Sequence, residues 1–161
     1  MRIIKDQAIV EDDWQHVENG EDLPEGKIIV SLERWREERD ALIGRKNSGL
    51  GIQLSSDQQP EDIAEDLEHF EVVSLHFPLF RDGRPYSTAR VLRERYGYTG
   101  ELRATGDVLR DQIFYMHRCG FNSFEVREDR SVDDALKAFG DFTVTYQPAS
   151  DEDLPLWRRR G

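Results

Sequence analysis

Within the stretch Glu71 to Phe77, Val73-Ser74-Leu75-His76-Phe77 alternates apolar and polar side chains, and Glu101-Leu102-Arg103-Ala104-Thr105 does the same further along the chain. Successive side chains of a strand point to opposite faces of its sheet. Gly51-Ile52-Gln53-Leu54-Ser55 and Phe121 to Arg127 repeat the pattern. One face therefore gathers Ile52, Leu54, Val73, Leu75, Phe77, Leu102, Ala104, Phe124, Val126 and Val144. The opposite face gathers Gln53, Ser55, Ser74, His76, Arg103, Thr105, Ser123, Glu125, Thr143 and Thr145. Central strands of an open doubly wound sheet are covered on both sides and read as unbroken apolar runs. The alternation instead favours an α/β protein with helices on one face of a curved parallel sheet, like a truncated (β/α) barrel. The polar face then looks onto a lumen, a partner or water. A doubly wound, Rossmann-like sheet is the alternative.

Spacing supports the repeat. Strands are expected to begin near residues 28, 51, 71, 101, 121 and 142, each step the size of a minimal βα unit. About six βα repeats follow, with parallel strands and crossover helices, short of the eight of a closed barrel. The expected helices are Glu33 to Ile43, a segment opened by Pro60, Thr88 to Tyr96, a helix capped by Asp107 and ended by Gly120, and one from Ser131 to Phe139 stopped by Gly140. Phe142 to Tyr146 reads as the sixth strand. Ahead of the repeats, Ile3-Ile4 and Ala8-Ile9-Val10 flank Lys5-Asp6-Gln7 as a β-hairpin. Residues 11–26, rich in acids, Gly and Pro, read as an irregular connection with Trp14 and Val17 docking on the core. The organisation is one α/β domain over 1–149 (hairpin 1–10, connection 11–26, repeats 27–149) and a charged tail over 150–161.

The 161 residues include 22 basic and 33 acidic side chains, a formal charge of −11. Such a surface repels a phosphate backbone, which argues against nucleic acid as a partner. A single cysteine, Cys119, excludes an internal disulfide framework and any Cys-only metal site. No apolar stretch nears the ~20 residues of a membrane span, and Met1 to Asp6 lacks a secretory signal's apolar core. The expectation is a cytoplasmic protein with no membrane partner.

Ligands of parallel α/β folds gather beyond the carboxyl ends of the strands. The longest loop there, Pro78 to Ser87, carries Arg81 and Arg84 and leads to Ser87, Thr88 and Arg90. Hydroxyls opening a helix beside arginines suit an anion. Arg103, Thr105 and Gly106 on the next strand complete the candidate ligand-binding set of Arg84, Ser87, Thr88, Arg90, Arg103, Thr105 and Gly106. His76 and Asp107 are the candidate proton-handling catalytic residues, with a structural hydrogen-bonder and a helix cap as the competing readings. Cys119 shares the apolar helix face of Ile113 and Met116 and reads as core. There is no dinucleotide fingerprint, P-loop, cysteine pair or His-Glu-x-x-His helix, so the sequence names no cofactor and no metal.

The stretches from Phe77 to Arg90 and from Gly100 to Phe121 resemble an uncharacterised bacterial family, a domain of unknown function. Its small proteins are encoded beside genes of assimilatory sulfite and phosphoadenylylsulfate reduction and are labelled as probable oxidoreductases of sulfite reduction. The resemblance runs from the hairpin to Tyr146. It implies an accessory or oxyanion-binding protein of sulfate and sulfite reduction, with sulfite or sulfate as ligand. The alternative is a non-catalytic docking subunit for sulfite reductase or its electron donor.

Overall fold

The computed structural model describes residues 1–45, 49–127 and 130–143. Eight strands form one sheet: β1 (Arg2–Lys5), β2 (Ala8–Glu11), β3 (Trp14–His16), β4 (Lys27–Ser31), β5 (Leu50–Leu54), β6 (Val72–Phe77), β7 (Glu101–Gly106) and β8 (Ser123–Phe124). Their order is β2-β1-β8-β7-β6-β5-β4-β3. From β3 to β8 every pairing is parallel, and β1 runs antiparallel to both β2 and β8. From β3 to β8 neighbouring strands follow chain order without a reversal, so among the described residues the parallel run has no switch point of the doubly wound kind. The sheet curls into a half-barrel.

The hairpin forms as expected because Asp6 and Gln7 both adopt positive φ, 51° and 65°, the backbone of a two-residue turn that matches strand twist. The helices are α1 (Leu32–Ile43), α2 (Arg84–Arg90), α3 (Arg110–Cys119) and α4 (Val132–Thr143). A π-helical turn, Val91–Arg95, extends α2. The segment opened by Pro60 makes two 3₁₀ stretches, Pro60–Asp62 and Ala64–His69, rather than an α-helix.

The core lies between the helices and one sheet face. Ile52, Leu54, Val73, Leu75, Phe77, Leu102, Ala104 and Phe124 bury there with Trp35, Ala89, Leu92, Ile113, Met116 and Phe139. Trp35 packs edge-on against Phe70 at 4.9 Å, and its Nε1 donates to Asp66 at 3.1 Å. Cys119 is buried with the apolar face of α3.

Three local expectations are corrected. The strand expected from Phe142 to Tyr146 begins inside a helix, since Phe142 and Thr143 belong to α4 and residues 144–146 lie outside the described residues. Ala135, Ala138 and Phe139 bury one helical face of α4, and that packing outweighs the roughly 1 kcal/mol cost of Gly140 inside a helix. The sixth parallel strand is found at the front of the chain instead: β3, within the stretch read as irregular. Finally, α2 opens at Arg84 with Pro85 in its first turn, so Ser87 and Thr88 lie inside the helix rather than at its start.

Candidate functional site

The sheet register assembles the polar residues in rows. Gln53, Ser74, Arg103 and Ser123 sit level across β5, β6, β7 and β8. One step toward the carboxyl ends, His76 is level with Thr105, and Glu125 follows β8, its N–H bonded to the Ala104 carbonyl at 2.9 Å. Ser74 Oγ and Thr105 Oγ1 both donate to Gln53 Oε1, at 3.0 and 3.4 Å. Thr105 Oγ1 also lies 3.3 Å from His76 Nδ1.

Arg103 is the hub of this face and is completely buried. Nε and Nη2 donate to Glu101 at 3.0 and 2.8 Å. Nη1 and Nη2 donate to Asp12 at 2.9 and 3.0 Å, and Nη1 donates to Glu125 at 2.8 Å. A guanidinium has five N–H donors, so all are consumed. Lys5 adds a second cation to Glu101 at 3.2 Å. Burial works against the ionised Glu101 carboxylate, yet Arg103, Ser123 and Lys5 outweigh it and hold its pKa below the ordinary value. Glu125 is also held low: burial opposes the charge, and His16 and Arg103 overcome it.

Two of these partners come from the far edge of the sheet. Asp12 and His16 flank and belong to β3, which among the described residues pairs only with β4. Even so, His16 Nε2 lies 2.8 Å from Glu125 Oε2 beyond β8. The curl of the sheet brings β3 close to β7 and the end of β8, and an ionic belt laces them.

Above the belt, the mouth of the half-barrel holds a cleft of about 670 Å³. Its polar lining comprises the imidazoles of His16 and His76, the amides of Asn19, Gln53 and Gln58, the hydroxyls of Ser31, Ser55 and Thr105, and the carboxylates of Glu18, Glu33 and Glu125. Among the described residues, no lysine or arginine lines it. Gly106 forms part of the wall at φ +88°, where a Cβ would strike the Phe77 carbonyl and come within 2.8 Å of the His76 ring. Only glycine lets the chain fold over His76 here. Such a cleft can hold a small polar molecule by hydrogen bonds, and its two imidazoles are groups able to accept and return protons.

The structure divides the expected site residues into two groups. His76, Thr105 and Gly106 line the mouth, and Arg103 forms the belt beneath it. Arg84, Ser87, Thr88 and Arg90 lie on α2, which packs on the opposite, apolar face of the sheet. Arg84 grips Asp82 through Nε and Nη2 at 3.0 and 2.7 Å and reaches Ser56 at 2.9 Å. That grip holds the Asp82 carboxyl far below its usual range. Arg90 Nη2 donates to Tyr115 Oη at 3.2 Å, Ser87 is exposed and Thr88 is buried. Asp107 does not cap α3, whose N-cap is Leu109. Its carboxylate instead accepts the Phe80 N–H at 2.6 Å and Arg127 Nη1 at 2.7 Å.

Asp12, His16 and Asn19 were not among the candidates. Their only signal is the pair of apolar residues, Trp14 and Val17, that frames Gln15 and His16 among the surrounding acids. Among the described residues, no helix is long and apolar enough to cross a membrane. Neither a curated protein nor a solved structure matches the chain. Residues 51–157, which include Glu101, Arg103 and Glu125 of the belt and His76, Thr105 and Gly106 of the mouth, match the family described as "Bacterial protein of unknown function (DUF934)"; the chain belongs to that family.

Proposed function

We propose that this chain is an accessory protein of assimilatory sulfite reduction that holds a small polar ligand, foremost an oxyanion of sulfur, in the mouth of its half-barrel. The pathway rests on the resemblance of residues 77–90 and 100–121. The binding role rests on one observation: polar side chains from successive strands converge around a cleft of about 670 Å³. Hydroxyl, amide and imidazole groups from Ser31, Ser55, Thr105, Asn19, Gln58, His16 and His76 offer the N–H and O–H donors an oxyanion needs. Arg103 shapes this wall rather than binding the ligand, because its donors are already used.

Thermal unfolding should be followed with millimolar sulfite, sulfate and an adenylylsulfate nucleotide. A ligand that binds only the folded chain stabilises it by RT ln(1 + [L]/Kd). The expected result is a saturable rise in Tm with at least one of the three, lost in His76→Ala and Thr105→Val and kept in Arg84→Ala. No shift with any of them overturns the reading. A shift lost only in Arg84→Ala moves the anion to the α2 corner and overturns the mouth as its site.

The charge distribution favours a second reading, a docking subunit for sulfite reductase or its electron donor. Residues 1–75 hold 19 acidic and 8 basic side chains, whereas residues 76–161 hold 14 of each. Half the chain thus presents a strongly negative surface to a basic partner. Co-elution with purified sulfite reductase at low salt, abolished at high salt, is the expected result. Separate elution at low salt counts against it.

A further inference from the structure

The two imidazoles of the mouth have their hydrogens assigned by their partners. Glu125 is ionised, its carboxyl held low, and a carboxylate only accepts. The hydrogen in its 2.8 Å contact with His16 therefore sits on Nε2. At the other ring, Thr105 spends its one O–H on Gln53 Oε1. Thr105 Oγ1 then accepts from His76, whose hydrogen sits on Nδ1. A neutral imidazole has one N–H, so each ring uses it inside the wall. The other nitrogens, Nδ1 of His16 and Nε2 of His76, make no hydrogen bond among the described residues. A bare ring nitrogen is an acceptor, and it offers an oxyanion nothing until it takes up a proton.

The charges facing these rings are negative. Glu125 past β8, Glu18 after β3 and Glu33 in the first turn of α1 line the same cleft. Glu21 and Asp22 share a second recess with His16. The cations behind the lining are committed elsewhere. Arg103 is spent on the belt. Arg34 donates to Glu38 at 2.9 Å and to the Glu18 carbonyl at 2.8 Å. Arg84, which touches Ser56 beside the lining Ser55, is clamped on Asp82. Within the lining, then, positive charge can come only from the imidazoles. Each proton taken up frees an N–H for the ligand and offsets one of the three carboxylates.

We propose that the mouth takes its oxyanion together with protons held on His16 and His76, a coupling that rests on the oxyanion reading of this cleft. Such coupling is reciprocal: protonation tightens the anion, and the anion tightens the proton. The test is calorimetric titration of the full chain with inorganic sulfate at pH 8 and pH 6. In that window sulfate stays a dianion, ordinary carboxylates stay ionised and imidazoles change charge. Sulfate should bind about tenfold or more tighter at pH 6. Titrations at pH 7 in two buffers of different ionisation enthalpy should show net proton uptake, a reading that needs no variant. The gain should vanish in the double variant His16→Gln and His76→Gln, whose amides donate without changing charge. Equal affinity at both pH values with no proton uptake overturns the coupling and leaves the mouth an oxyanion site. A gain that a folded double variant keeps places the protons on other groups and also overturns it. So does the absence of sulfate binding at pH 6: where sulfite or the adenylylsulfate nucleotide still binds, the oxyanion reading survives, and where none of the three binds, both fall.

Discussion

A buried arginine is tolerable only when every donor is met, and Arg103 satisfies that condition with five hydrogen bonds to three carboxylates. Burial opposes its charge, but Asp12, Glu101 and Glu125 raise its pKa well above the ordinary arginine value. Replacing it by methionine keeps much of the volume and leaves three carboxylates facing one another without their shared cation. Removing one side of a buried ion pair costs about 3–5 kcal/mol, so Arg103→Met should lose about that much in urea denaturation. Arg103→Lys should recover only part, because an ammonium has three donors and no planar fork. A loss under about 1 kcal/mol in Arg103→Met would show that the belt contributes little. The place of Arg103 on the polar face was legible from the alternation of β7. Its saturation was not, because Asp12 lies 91 residues away in the chain and no local pattern couples them.

At the level of elements, β3 depends most on this belt. It has three residues and, among the described residues, pairs only with β4, and a strand that short gains little from its own ladder. Asp12 to Arg103 and His16 to Glu125 tie it to β7 and to the residue just past β8. In Asp12→Ala, hydrogen exchange should speed up by about tenfold or more at Val17, whose amide bonds to the Ile29 carbonyl at 3.0 Å, while β6 and β7 keep their protection. Uniform acceleration across all strands would mean that β3 does not open separately. The same feature explains what the sequence concealed. β5, β6 and β7 are legible because burial of one face imposes strict alternation. β3 has no β-branched residue among Trp14, Gln15 and His16 and is placed by ionic contacts. The end of α4 misleads in the opposite way, since Phe142 and Thr143 suit a strand locally while the packed face of Ala135, Ala138 and Phe139 carries the helix past Gly140. The mouth was legible in His76, Thr105 and Gly106, which lie at the carboxyl ends of the paired strands β6 and β7. The α2 residues were misplaced with them because one turn of error at the start of α2 moves Ser87 and Thr88 away from the helix N-terminus.

For the whole molecule, acid pits two electrostatic effects against each other. A chain of net charge −11 repels itself, and protonating its many exposed carboxylates relieves that strain. The belt responds in the other direction. Glu101 and Glu125 have folded-state pKa values below their ordinary ones, so between those values the unfolded chain binds more protons than the folded one. Their contribution is complete above the unfolded glutamate value of about 4.3, and it is lost as pH falls through the lower folded values. The unfolding free energy should therefore drop between about pH 5 and pH 3 in urea titrations, despite the relief of surface repulsion. In Arg103→Met the two glutamates lose the cation they share, one of the groups that lower them, so the same titration should flatten or reverse as relief of repulsion takes over. Parallel curves for the parent and Arg103→Met would mean that carboxylates elsewhere set the acid limit, and that the belt does not govern how β3 stays joined to β7 and β8.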